Sequence, residues 1–171
     1  MPEYNKVFNA NVYLADKSLV GRAQEVGLPD LEFSQHEHTG LGMFGSIEMP
    51  QGLNALTASI KWNGFYADHL KHGSNPFKRH SFQIRGSVDV NAPGGRVEEL
   101  PVVWHLNAGW KKQGLGSPKP KEAMEFEDEL AVTYVKVTHG GTDVMEIDVF
   151  ENIWIVDGED VMATWRENLG I

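Results

Sequence analysis

Between Ser81 and Val156 the chain falls into segments in which apolar and polar side chains alternate, and this period of two restricts the fold more than any other feature. Residues i and i+2 share a face only in an extended strand. SFQIRGSV (81–88) sets Phe82 and Ile84 against Gln83 and Arg85. VVWHLNAGW (102–110) puts Val102, Trp104, Leu106 and Ala108 on one face and Val103, His105, Asn107 and Gly109 on the other. Residues 124–141 and 144–156 continue the pattern, with HGGTD between them as a hairpin turn. Upstream, NVYLAD and SLVGRAQEV flank a short turn at Asp16-Lys17, and LTASIKWNGF (56–65) is a further strand. Eighteen glycines and eight prolines punctuate these runs, as expected of an antiparallel β protein.

Two stretches depart from this period. FYADHLKH predicts a short helix capped by Asn63 and ended by Gly73, and DGEDVMATWRENLG predicts a second. The second starts near Asp157 or Asp160, carries Val161, Met162, Trp165 and Leu169 at helical spacing, and stops at Gly170. With no internal repeat or linker, 171 residues of which 41% are hydrophobic predict one domain spanning 1–171.

Several functions are excluded at once. The chain has no cysteine, so disulfides, thiolate metal sites and a cysteine nucleophile drop out. The opening stretch MPEYNKVFNANVYLAD lacks a basic region followed by an apolar core, and no window has the roughly 18 continuous apolar residues of a membrane span, so a soluble cytoplasmic product is expected. Fifteen Lys and Arg against 24 Asp and Glu leave a charge of −9, the wrong sign for gripping nucleic acid through its phosphates.

The residue types able to do chemistry are scattered. His36 and His38 flank Glu37 on a strand and would point the same way. A cupin-type metal site needs a nearby glutamate and a later histidine, but the next acid is Glu48 and Ala55 stands where the histidine belongs. His69, His72, His80, His105 and His139 have no diagnostic ligand spacing, so the pair reads as a solvated strand end and no metal or cofactor is expected. The run holding Glu122, Glu125, Glu127, Asp128 and Glu129 offers carboxylates for a glycosidase-like pair, as do Glu146 and Asp148, but solvated strand faces explain both. Nucleophile-elbow, P-loop and dinucleotide signatures are missing, so no catalytic residue is assigned. Trp104, Trp110, Trp154 and Trp165 read as core or interface anchors.

This many strands leave open edges, which a protein must either blunt or use. KKQGLGSPKPK (111–121) is a basic, Pro/Gly-rich loop suited to blunting one. Residues 40–54 differ: Gly40, Gly42, Gly45 and Gly52 give mobility, while Met43, Phe44, Ile47 and Met49 would lie exposed in a lone monomer. Exposed apolar loops signal a partner.

The ordered set of features resembles the major tail tube proteins of contractile-tailed bacteriophages, a family that includes R-type pyocin tubes. Towards the C-terminus Tyr134, a hairpin, Glu146-Ile147-Asp148, Asn152, Gly158, Asp160, Arg166 and Leu169-Gly170 follow the family's order. Nearer the N-terminus Asn11-Val12-Tyr13, Gly21, Leu28-Pro29, Gly42-Met43 and Gly52-Leu53 do so more loosely. The turns NAPGG, THGGTD and DGED depart from the family pattern, as does His36-Glu37-His38.

The resemblance implies a mainly β fold, a β-sandwich or half-barrel of antiparallel strands with a flanking α-helix and a short C-terminal helix. It implies six copies closing into a ring with a β-barrel inner wall, and rings stacking into a hollow tube that guides DNA into the host. Residues 40–54 take the role of the inter-ring loop, with Met43 and Phe44 as its anchors. Six chains at −9 give −54 per ring, and Glu125, Glu127 and Glu129 are the acids assigned to the lumen. The implied partners are further copies of the chain, a tail sheath outside, tape-measure protein and transient double-stranded DNA inside, and baseplate and tail terminator proteins at the ends. The implied location is the virion, assembled in the host bacterial cytoplasm. The alternatives are a type VI secretion ring protein and a small β-barrel enzyme, metal-dependent or sugar-cleaving.

Overall fold

The computed structural model describes residues 3–171, so Met1 and Pro2 of the expected domain lie outside the described residues. Strand β1 (Tyr4–Leu14) turns into β2 (Lys17–Ser18), and β3 (Ala23–Gly27) follows. A hairpin of β4 (Phe33–His38) and β5 (Ile47–Leu53) precedes β6 (Leu56–Trp62) and helix α1 (Ala67–Gly73). The long strands β7 (His80–Ala92), β8 (Gly95–Lys112) and β9 (Phe126–His139) come next. The chain ends in β10 (Thr142–Asp148), β11 (Ile153–Val156), β12 (Glu159–Asp160) and α2 (Ala163–Leu169).

Every pairing is antiparallel, and β9 is the branch point. One of its edges holds β8, followed by β7, β1 and β2. Its other edge is shared end to end: β6 pairs with residues 126–132 and carries β3, while β10 pairs with residues 134–139 and carries β11 and β12. The sheet curls so that Val12, Leu14, Ile60, Trp62, Phe82, Leu106, Leu130 and Val135 enter one core. The result is the expected half-barrel. Where β1 and β3 approach each other without pairing, a cleft of about 390 Å³ stays open over Val12, Val26, Ile84 and Trp104. The β4–β5 hairpin forms a separate two-stranded sheet, rooted by Phe33 stacking on Trp154 at 5.2 Å.

Turn chemistry corrects several expected boundaries. Ala15 and Asp16, both at positive φ, make the first turn one residue earlier than expected. The single strand expected over 144–156 is broken after Asp148, whose Oδ1 accepts the N–H groups of Phe150 and Glu151 at 3.0 and 3.2 Å. Asp157 and Gly158, at φ 50° and 80°, form a two-residue hairpin turn, so the helix expected from Asp157 or Asp160 starts only at Ala163. Asp-Gly favours that hairpin because both central residues need positive φ. Gly170, at φ 72°, ends α2 as expected.

Asn63 does not cap α1. Its side chain donates to the Gly21 carbonyl at 2.6 Å and accepts from the Tyr66 hydroxyl at 2.9 Å, and Tyr66 occupies the cap position. Gly73 is the last helical residue, and a Cβ there would lie 2.4 Å from Gln113 Nε2 and 2.9 Å from Trp110 Nε1. Close packing, not a left-handed stop, selects glycine at this position. Residues 40–54 are only partly loop: the Ile47, Met49 alternation extends into β5, which leaves residues 39–46 as the hairpin tip. Pro50 is tolerated beside the register shift at Ser34/Gln35.

Candidate functional site: assembly surfaces and the hub behind them

The hairpin tip is the most exposed apolar part of the molecule. Leu41 and Phe44 are fully open to solvent, and Met43, Ile47 and Met49 are each about two-fifths to one-half exposed. Gly42 takes φ 86° and a Cβ on Gly45 would meet nothing, so the tip is built for a tight path and little self-contact. Gly40 lies beside Met43 and His38. His36 and His38 share one face of the hairpin, opposite Met49 and Ile47 in register. Among the described residues no group of three His, Asp or Glu side chains gathers that would hold a metal ion.

A second exposed region was not singled out by sequence reasoning. The outer part of β1 with the β7–β8 hairpin forms a three-stranded ribbon bearing exposed Tyr4, Val7, Phe8 and Val97. Strand lengths alone carry the signal, since β8 runs to 18 residues. A third apolar surface lies at α2, where Val161, Trp165 and Leu169 are exposed and no helical residue is buried.

The residues of the C-terminal pattern hold this last region together. Tyr134 donates its hydroxyl to Glu146 at 2.8 Å, and partial burial, reinforced by that carboxylate, pushes its phenol up. Glu146 and Asp148 are thereby occupied as structural acceptors, one by a phenol and the other by backbone N–H groups. Arg166 forks onto Asp160 and donates a further bond to the Asn152 carbonyl at 2.8 Å. Asp160 also accepts from Met162 N, and the guanidinium holds its carboxyl below the usual range. Asn152 sits at φ 53°, in the left-handed region that asparagine tolerates.

The acidic run is where the structure overturns the expected reading. Glu125, Glu127 and Glu129 do face outward or partly so, but Asp128, expected on a solvated face, is completely buried. Its Oδ2 accepts from Trp62 Nε1 at 2.9 Å and Trp110 Nε1 at 3.0 Å, and its Oδ1 accepts from Gly114 N at 2.9 Å. The alternation Phe126, Asp128, Leu130 carried this signal: an acid between two core positions must itself point inward. Glu129 meets Lys112 at 3.6 Å, and Glu127 lies opposite Lys61, which itself bonds Glu25 at 2.7 Å. Lysines therefore offset part of the negative charge on this face.

The family model for phage tail tube protein FII matches residues 4–170. The chain belongs to that family. It is also 27% identical over 175 residues to the tail tube protein of Escherichia phage P2, covering 100% of this chain and 99% of that one. Among solved structures, it is similar to a chain of an extracellular contractile injection system in its extended sheath–tube complex, with TM-score 0.58 and 16% identity over 78% of this chain and 90% of the other. A chain from the sheath/tube terminator of that system gives TM-score 0.56 at 16% identity, covering 78% and 95%. At that identity the solved structures show the shared fold. As a tail tube protein, the chain is a structural subunit of a contractile tail.

Proposed function

We propose that this tail tube subunit closes into six-membered rings that stack into a hollow conduit for DNA, with the β4–β5 hairpin as the contact between rings. The observation that carries the reading is the hairpin tip, where Leu41 and Phe44 are fully exposed at the end of a hairpin that meets the main core at its base, through Leu53. A protrusion that fits a different surface of an identical neighbour makes a heterologous contact, and such contacts propagate into filaments. Gly40, Gly42 and Gly45 shape the tip, and Met43, Phe44, Ile47 and Met49 supply the buried area.

Glu125, Glu127 and Glu129 are assigned to the conduit wall. A wall of the same sign as DNA lets it slide, because few counterions are released on contact. In the assembled tail the sheath lies outside, tape-measure protein and then double-stranded DNA pass inside, and baseplate and terminator proteins meet the two ends. The subunit belongs to the virion and assembles in the host bacterial cytoplasm. The similarity to a chain of a sheath–tube complex supports the sheath partner by analogy.

Phe44→Asp and Met43→Asp test the hairpin. Each leaves a folded protein with an unchanged far-ultraviolet circular dichroism spectrum, and each abolishes long tubes in negative-stain electron microscopy. Tubes of normal length from either variant would sink the hairpin assignment.

A further inference from the structure

His69 is the one buried histidine with no outlet. Its side chain is 2% exposed, slotted between Trp62 at 4.4 Å and Phe126 at 5.2 Å, with neither ring nitrogen hydrogen-bonded. The nearest acid oxygen, Asp128 Oδ2, stands 3.7 Å from Nε2 and already accepts from two indoles. A neutral imidazole in this slot makes aromatic contacts and avoids the cost of burying a charge. A protonated ring would carry a charge and two N–H donors into a site whose nearest carboxylate oxygen already accepts from two indoles.

The slot also holds a distinct part of the molecule. Helix α1 bears His69, and its Leu70 carbonyl accepts from Gln113 Nε2 at 3.2 Å. Gly73 packs against Gln113 and Trp110. The adjoining Gly114 donates to Asp128, so α1 and the start of the 113–125 segment share one anchorage around Trp62, Trp110, Phe126 and Asp128, while Met124 packs on the core near the segment's far end. That segment has no strand or helix of its own and carries the exposed Lys119 and Lys121.

We propose that His69 is an acid-operated latch: when its ring takes up a proton, α1 and the 113–125 segment lift from the Asp128 hub while the main sheet stays folded. The charged groups facing the ring are Asp128 from β9, which favours the proton, and Arg22 before β3, which opposes it. The Tyr66 carbonyl at the cap of the ring's own helix also favours the proton, and His72, further along that helix, meets His80, which stands edge-on to Trp110. Burial outweighs these and pushes the imidazole below the ordinary histidine range. The sign follows: a base held neutral by the fold contributes its full stability above the unfolded histidine value, about 6.5, and loses it as pH falls towards the lower folded value. Release at low pH would free the lysine-bearing segment for a different contact from the one it makes when docked.

The test is a ¹⁹F NMR titration of the 5-fluorotryptophan-labelled full chain from about pH 7.5 to about pH 5, the range in which histidine switches. In the parent protein the Trp62 and Trp110 signals are expected to move together in one step below the ordinary histidine value, with the far-ultraviolet spectrum unchanged. His69→Phe keeps an aromatic ring in the slot and abolishes the step, whereas His80→Gln retains it. A step that survives in His69→Phe, or two signals that hold still until the whole chain unfolds, would overturn the latch. Should His69→Phe not fold, ¹⁵N detection of the His69 ring in the parent decides: a ring that stays neutral through the step is equally fatal. None of these readouts depends on tube formation.

Discussion

Truncating Asp128 to alanine tests whether the buried carboxylate organises the fold behind the assembly surfaces. The substitution removes the acceptor for Trp62 Nε1 at 2.9 Å, Trp110 Nε1 at 3.0 Å and Gly114 N at 2.9 Å. Each stranded donor costs about 1–3 kcal/mol when buried, but the three share one acceptor and relax together, so simple addition overshoots. Three buried donors that lose one shared acceptor, counted less than additively, give an expected loss of about 3–5 kcal/mol. For a chain of this size about 1 kcal/mol moves the melting temperature by about 2–4 °C, so a drop of about 6–20 °C follows. Urea unfolding of unassembled protein reads the change as a lower midpoint at constant slope. Asp128→Asn, which keeps one carbonyl acceptor, should fall between the two. Equal stabilities for Asp128→Ala and the parent, within about 1 kcal/mol, would refute the hub.

Two further substitutions probe the elements fastened around it. In Gly114→Ala the new Cβ would stand 2.6 Å from the Glu127 carbonyl oxygen and 3.0 Å from its nitrogen, and the backbone on both sides must shift. A loss of about 1–3 kcal/mol is expected, with faster proteolysis within 113–125 as the local readout; cleavage at the parent's rate would contradict the close approach. Arg166→Lys keeps the charge but loses the fork onto Asp160 and the bond to the Asn152 carbonyl, so amides of α2 should exchange faster while β7 to β9 do not. Unchanged protection in α2 would show that the helix is held by something else.

The half-barrel was legible because alternation reports which face of a strand is buried. Val102, Trp104, Leu106 and Ala108 pack on the core side as the pattern required. What escaped was context that alternation does not encode. The same period placed Asp128 inward, yet a run of acids looked like a solvated face, because the indole N–H groups that make burial tolerable come from Trp62 and Trp110, 66 and 18 residues away. The helix expected from DGED failed for a local reason, since Asp157 and Gly158 take the positive φ of a two-residue hairpin turn. Residues of the C-terminal pattern were readable only as an ordered set; what they do physically, joining β9 to β10 through Tyr134 and Glu146 and α2 to β12 through Arg166 and Asp160, needed coordinates.

Edges supply the remaining link between fold and assembly. The path through the main sheet ends in β2 and β12, two residues each and made of Lys17–Ser18 and Glu159–Asp160. Short charged end strands discourage indiscriminate pairing. The inner edge of β1, from Val7 to Val12, and the edge of β3 face each other across the open cleft instead of solvent on a flat sheet. A chain bound for a repeating assembly must join copies at defined places and refuse others. Blunted ends and a curled seam perform the refusal, which leaves the hairpin tip, the β1/β7/β8 ribbon and the α2 face as the surfaces where apolar area is concentrated and contact is favoured.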